Sequence, residues 1–117
     1  MSASTQDLIV TSRVTGKSAL IDVSGEVDVS TCALLEEALS AAQACDLIEV
    51  DLASVTFIGS SGLACLLEAH AQAADRSAVV RIVGTSPPVD RLLEVTGADR
   101  LLLLPISRDS SITASDA

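Results

Sequence analysis

The chain has 117 residues, 49% hydrophobic and 20% charged: enough apolar material for one domain with short tails, and too much for wholesale disorder. Its net charge is −9, with seven basic residues scattered along it, so it lacks the basic face that nucleic-acid phosphates or an anionic membrane require. The single aromatic, Phe57, leaves no stacking platform for bases.

Residues 1–6 are rich in Ser and Thr and are expected to form a flexible N-terminus. Leu8 to Val14 is β-branched and strand-like, Thr15-Gly16-Lys17 is a short turn, and Ala19 to Gly25 is a second strand close enough to pair with the first as a hairpin. Gly25-Glu26-Val27-Asp28 ends that strand. A helix is predicted from about Ser30 to Ala44, with Leu35, Ala38, Leu39 and Ala42 on one face and either Asp28 or Ser30 as its cap. Leu47 to Leu52 is a buried-type strand. The segment Val55 to Leu63 follows as a turn, with Ser60 and Ser61 between Gly59 and Gly62 where the next helix begins. That helix carries Leu63, Leu66, Leu67, Ala71 and Ala74 as its stripe. Ala78 to Gly84 is a strand. Ser86 caps a third helix with Pro87 at its first position, Val89, Leu92, Leu93 and Thr96 on one face, and Gly97 at its end. Leu101 to Leu104 is a last strand, and 106–117 a flexible C-terminal tail.

The order β-β-α-β-α-β-α-β places a single α/β domain at 7–105. Its sheet is mixed and mostly parallel, with an opening antiparallel hairpin and right-handed βαβ crossovers. No apolar run reaches the ~18 residues of a membrane span, and Met1 to Asp7 lacks the pattern of a secretory signal. A cytoplasmic protein, not membrane-bound, is expected, with a partner bearing a basic patch.

The chemistry-bearing residues are few. Cys32, Cys45 and Cys65 are odd in number and lack C-x-x-C spacing, and with one histidine no metal site is expected. They read as small apolar residues kept reduced; the sharper alternative is a redox-sensing set, led by Cys65 as an accessible thiol beyond the turn. His70 lies on the second helix's stripe, where a half-buried histidine with a backbone partner is the ordinary outcome. Neither G-x-S-x-G nor a G-x-x-x-x-G-K loop is present, so no enzyme and no cofactor are expected. A serine at a helix N-terminus either caps it or accepts a phosphoryl group, whose charge that helix end tolerates.

The stretch Val55-Thr56-Phe57-Ile58-Gly59-Ser60-Ser61-Gly62-Leu63 resembles the signature of the anti-sigma-factor antagonists, the bacterial STAS-domain family. Gly25-Glu26-Val27-Asp28, Ile48 to Leu52, and Ser86 to Leu93 with Thr96-Gly97 resemble that family's other segments, in order, so the likeness runs from about Leu8 to Leu104. It implies a non-enzymatic switch. The unmodified protein binds an anti-sigma factor that is a serine kinase of the histidine-kinase-like ATPase class, and so frees a sigma factor; phosphorylation of the first serine ends the binding. By position the acceptor is Ser60, and the partner-binding set is Asp28, Gly59, Ser60, Ser61 and Gly62. A monomer is favoured. The family's usual acid before the acceptor is Gly59 here. The alternative is an unphosphorylated STAS interaction module in a signalling scaffold or transport complex, modulated through the cysteines.

Overall fold

The computed structural model describes residues 2–4 and 8–98. The strands are β1 (Ser2–Ser4), β2 (Leu8–Thr15), β3 (Ser18–Val27), β4 (Leu47–Ile58) and β5 (Val79–Gly84); the helices are α1 (Cys32–Ala41), α2 (Ser60–Asp75) and α3 (Pro87–Thr96). The five strands form one sheet in sequence order. The β1–β2 and β2–β3 ladders are antiparallel, and β3–β4 and β4–β5 are parallel, which is the mixed sheet expected. The difference lies at the start of the chain. Ser2–Ser4 pairs with Ile9–Thr11 as a short edge strand, where a flexible end was expected. The strand predicted at Leu101–Leu104 and the tail at 106–117 lie outside the described residues.

Alternation decides which face is buried. Val10, Ile21, Val23, Ile48, Val50, Val80 and Ile82 point to one side of the sheet, where they meet Leu35 and Leu39 of α1, Leu63 and Leu66 of α2, and Val89 and Leu93 of α3. The other side of the sheet carries Arg81 and Glu49, whose Nη2 and Oε2 lie 2.6 Å apart in a half-exposed ion pair.

Two strands outrun the sequence reading. β4 was expected to stop at Leu52 and continues to Ile58, and β3 continues past Gly25 to Val27. The register of the β3–β4 ladder shifts between the Asp22–Asp51 and Ser24–Ser54 pairs, and again at Glu26–Phe57. The Asp51 carboxylate accepts the Ala53 N–H (2.9 Å) at the first irregularity. Such a bulge breaks the two-residue period, so Val55 returns to the core out of phase with Val50 and Leu52, and after the second shift Ile58 is buried back in their parity. The segment 55–58 is therefore the end of a central strand rather than a turn. It delivers Gly59 and Ser60 at the sheet's C-terminal rim, beside the end of β3.

α2 buries Leu63 and Leu66 as expected, but the far end of its stripe is turned. Gly62, Leu63, Cys65, Leu66 and Ala73 are buried, while Ala71 and Ala74 are exposed. The helix packs on the sheet and also against α1, and the second contact takes the small residues Cys65 and Ala69. α3 begins as expected with Pro87 after Ser86 and ends at Gly97, whose φ of 77° is the left-handed position suited to glycine. The Ser86 hydroxyl does not cap that helix; it donates to the Val55 carbonyl (2.6 Å) and ties α3 to the extension of β4.

Candidate functional site

Two strand-to-helix junctions lie side by side at the rim. Val27 pairs with Ile58 at the end of the β3–β4 ladder, and the Gly59 N–H donates to the Val27 carbonyl (2.9 Å). Asp28 follows directly on β3 and Ser60 opens α2 one residue beyond β4, so that pairing puts both at the same rim.

At the second junction the helix cap is Gly59 in an extended conformation, φ −96° and ψ 178°. Its carbonyl accepts from Gly62 and Leu63 N–H (3.1 and 3.3 Å) and so begins the helix. Neither Ser60 nor Ser61 caps it, since both lie inside the helix rather than before it. Ser60 is exposed, Ser61 is half-buried, and neither hydroxyl hydrogen-bonds to a described residue. No acidic side chain occupies the first turn, so the positive end of this sixteen-residue helix faces outward without a counter-charge of its own.

The two glycines of the segment serve opposite purposes. At Gly59 a Cβ would meet only the Phe57 ring (3.6 and 3.8 Å) and the Val27 oxygen (3.9 Å), which is ordinary contact. A side chain fits there. At Gly62 a Cβ would lie 2.6 Å from Val27 Cγ1 and 3.0 Å from Ile58 Cγ1. Gly62 is buried because the start of α2 presses onto the ends of β3 and β4. It was expected among the partner-binding residues, and the structure corrects this: Gly62 lets the turn approach the sheet and offers no surface to a partner.

At the first junction Asp28 is the hub. Its Oδ1 accepts the Ser30 hydroxyl (2.8 Å) and the N–H groups of Ser30 (3.0 Å) and Thr31 (3.2 Å). Its carbonyl takes the Thr31 and Cys32 N–H groups (3.1 and 2.8 Å). The bond from the Ser30 hydroxyl leads the causes that hold the Asp28 carboxyl below its ordinary value. α1 therefore starts at Cys32 after Thr31 rather than at Ser30. Asp28 rather than Ser30 satisfies the junction's donors, from before the helix. Thr31, which the sequence reading passed over, is buried; its hydroxyl donates to the Glu26 carbonyl (2.7 Å) and accepts the Asp28 N–H (3.0 Å).

Apolar side chains stand exposed around these polar turns. Val29 is 83% exposed beside Asp28, and Phe57, the sole aromatic, is 49% exposed two residues before Gly59. Phe57 also lines a shallow groove with Pro87, Leu92 and Val95 of α3 and a single basic side chain, Arg91. Sequence reasoning missed this apolar margin; the signal was the lone aromatic in a chain that builds its core from aliphatic residues.

The cysteines separate into a pair and a single. Cys65 was expected to be accessible. It is 7% exposed, and burial first, with the nearby Glu36 and Cys32, pushes its thiol up to about 12. Cys32, at the start of α1, is the more open partner, and Cys45 is buried beyond the end of α1. His70 is half-buried, and its Nδ1 is shielded with no partner among the described residues, where a backbone bond was expected. Among the described residues no His, Cys, Asp and Glu cluster could hold a metal ion, and no helix is long and apolar enough to cross a membrane.

Known structures share this architecture. An anti-sigma factor antagonist from Mycobacterium paratuberculosis is 28% identical with a TM-score of 0.76, over 88% of this chain and 91% of that one. The anti-sigma factor antagonist SpoIIAA in its unphosphorylated form is 15% identical with a TM-score of 0.71, over 91% and 89% of the two chains. The Bacillus cell fate determinant SpoIIAA in the phosphorylated form is 16% identical with a TM-score of 0.66, over 91% and 92%. No curated protein matches the sequence. The family model described as "Mlab, STAS domain" matches residues 10–105, which take in most of β2, all of β3, β4 and β5, the three helices and both rim junctions, and the chain therefore belongs to the STAS-domain family.

Proposed function

We propose that this protein is an anti-sigma-factor antagonist, non-enzymatic itself, that docks through the Asp28 and Ser60 junctions on an anti-sigma factor of the histidine-kinase-like ATPase class. Phosphorylation of Ser60 by that kinase ends the contact. The observation that carries this reading is the Ser60 hydroxyl: exposed, unpaired among described residues, at the first position of α2, and bordered by exposed Val29 and Phe57. A phosphate there meets the positive end of the helix, so the domain tolerates the charge while a partner covering the turn does not. The likeness to antagonists of anti-sigma factors, one of them solved in a phosphorylated form, supports the same role. Asp28, Gly59, Ser60 and Ser61 form the contact surface in this reading, and the protein acts in the cytoplasm.

One feature favours a second reading, an unphosphorylated STAS module in a scaffold or transport complex. Gly59 stands where the antagonists carry an acid, and the room around it means that the fold did not demand the loss.

The test uses Ser60→Ala and Ser60→Asp proteins as baits in a lysate of the source organism, with bound proteins identified by mass spectrometry and the captured kinase then incubated with wild-type protein and ATP. Retention of an ATPase-fold kinase by the Ala bait alone, with phosphate mapped to Ser60, is the expected outcome. Equal recovery of one partner by both baits would sink the switch and leave the scaffold reading.

A further inference from the structure

α3 carries three stripes. Val89 and Leu93 face the core, while Asp90 and Glu94 are exposed and stay out of the groove. Pro87, Pro88, Arg91, Leu92 and Val95 make the third stripe, which is one wall of that groove; the end of β4, Phe57 foremost, is the other. The groove is made of side chains that the core does not use. Val95 is 79% exposed, and Phe57 leaves about half of its surface open to solvent. Arg91 stands midway along the wall, one turn from Pro88 and one from Val95, and is the only charged side chain among the described residues that line the groove. It is exposed and makes no ion pair with a described residue, in a chain where 16 acids face 7 bases. The groove is continuous with the Ser60 turn, because the Phe57 ring lies 3.6 Å from the point where a Cβ on Gly59 would stand.

We propose, on the reading of the Ser60 turn as a docking surface, that this groove is a second docking point for the same partner protein. An apolar side chain of the partner enters between Phe57 and α3, and a carboxylate about one helical turn away on the same partner segment pairs with Arg91. Charge complementarity chooses this occupant. An unpaired cation beside exposed apolar carbon matches an acidic amphipathic helix, whereas a basic segment would bring like charge against Arg91. Aromatic side chains and Arg are also the residues that interfaces favour. The net charge of −9 makes a partner carboxylate unfavourable elsewhere on this surface, so Arg91 fixes the register in which the partner segment lies. The groove supplies affinity and register, and the Ser60 turn supplies the switch.

The probe is the photo-crosslinking residue p-benzoylphenylalanine, placed at position 95 of the full-length Ser60→Ala protein in the source organism and irradiated. The linked peptide is sequenced by mass spectrometry. The expected peptide carries an apolar residue three or four positions from an Asp or Glu, and belongs to the protein that the Ser60→Ala bait retains. Calorimetry with that partner, purified, should show Phe57→Ala and Arg91→Glu each weakening binding by roughly tenfold. Changing the partner's acid to Lys should restore binding to Arg91→Glu alone. Val95→Ser repeats the test at a side chain that the fold hardly uses. No link from position 95, a link to residues 101–117 of the same chain or to a second copy, a linked peptide without an acid, or full affinity in the variants would overturn the proposal. The two readings fail separately. An equal link from the Ser60→Asp protein removes the switch and leaves the groove; release by Ser60→Asp with full binding by Phe57→Ala, Arg91→Glu and Val95→Ser removes the groove and leaves the switch.

Discussion

Ser60 holds an exposed hydroxyl on a backbone already fixed from behind, because the Gly59 N–H is bonded to the Val27 carbonyl. A charge added there has little backbone to move, so its effect falls on whatever covers the turn. Facing a partner carboxylate about 6 Å away, one unit charge costs about 3 kcal/mol at an effective dielectric of 20, roughly a hundredfold in affinity. Ser60→Asp should weaken binding by about that factor in a calorimetric titration with the partner, while its own thermal midpoint stays level or rises slightly. The flanking glycines should separate in denaturant titrations. Gly59→Asp fits and places an acid at the cap, so it should gain a few tenths of a kcal/mol. Gly62→Ala forces its Cβ against Val27 and Ile58 and should lose about 1–3 kcal/mol.

The β3–α1 junction works as a unit, since Asp28 and Thr31 satisfy each other's backbone and side-chain groups. Thr31→Val keeps the shape but strands the Asp28 N–H and the Glu26 carbonyl, and should cost about 1–3 kcal/mol by chemical denaturation. The Asp28 carboxyl has a folded-state value depressed below its ordinary 3.8, so its contribution is complete above that value and is lost as pH falls through the lower, folded one. Stability measured down to pH 2 should therefore decline less steeply in Asp28→Asn than in wild type. Elements whose signal is local were legible in the sequence: the Gly16-Lys17 turn, the Pro87 start and Gly97 stop of α3, and the Leu35 and Leu39 face of α1. What escaped depended on distant partners. The bulge near Asp51 hid the length of β4 because it breaks the period from which a strand is read. The α1 seam turned α2 toward Cys65 and Ala73, although the Leu63, Ala71 and Ala74 spacing looked equally sound in one dimension. Around the candidate site, the motifs marked the two strand-to-helix junctions that carry Asp28 and Ser60. The burial of Gly62 and the exposure of Val29 required the packing of α2 on the sheet.

Across the whole molecule, the net charge of −9 selects for a basic partner surface and should speed encounter with it. Association measured by stopped flow should slow by roughly tenfold between low and high salt, with dissociation nearly unchanged. The sheet keeps its ladders and core on one side of the rim, and the proposed contact residues stand on the other. That division matters most in the four residues from Gly59 to Gly62. One end of the motif is sterically free and the other is locked against two strands. Over generations, position 59 can drift through many residues while position 62 is held to one. A duplicated copy of this domain can thus change its surface by altering a single residue beside Ser60, without having to solve its folding problem again.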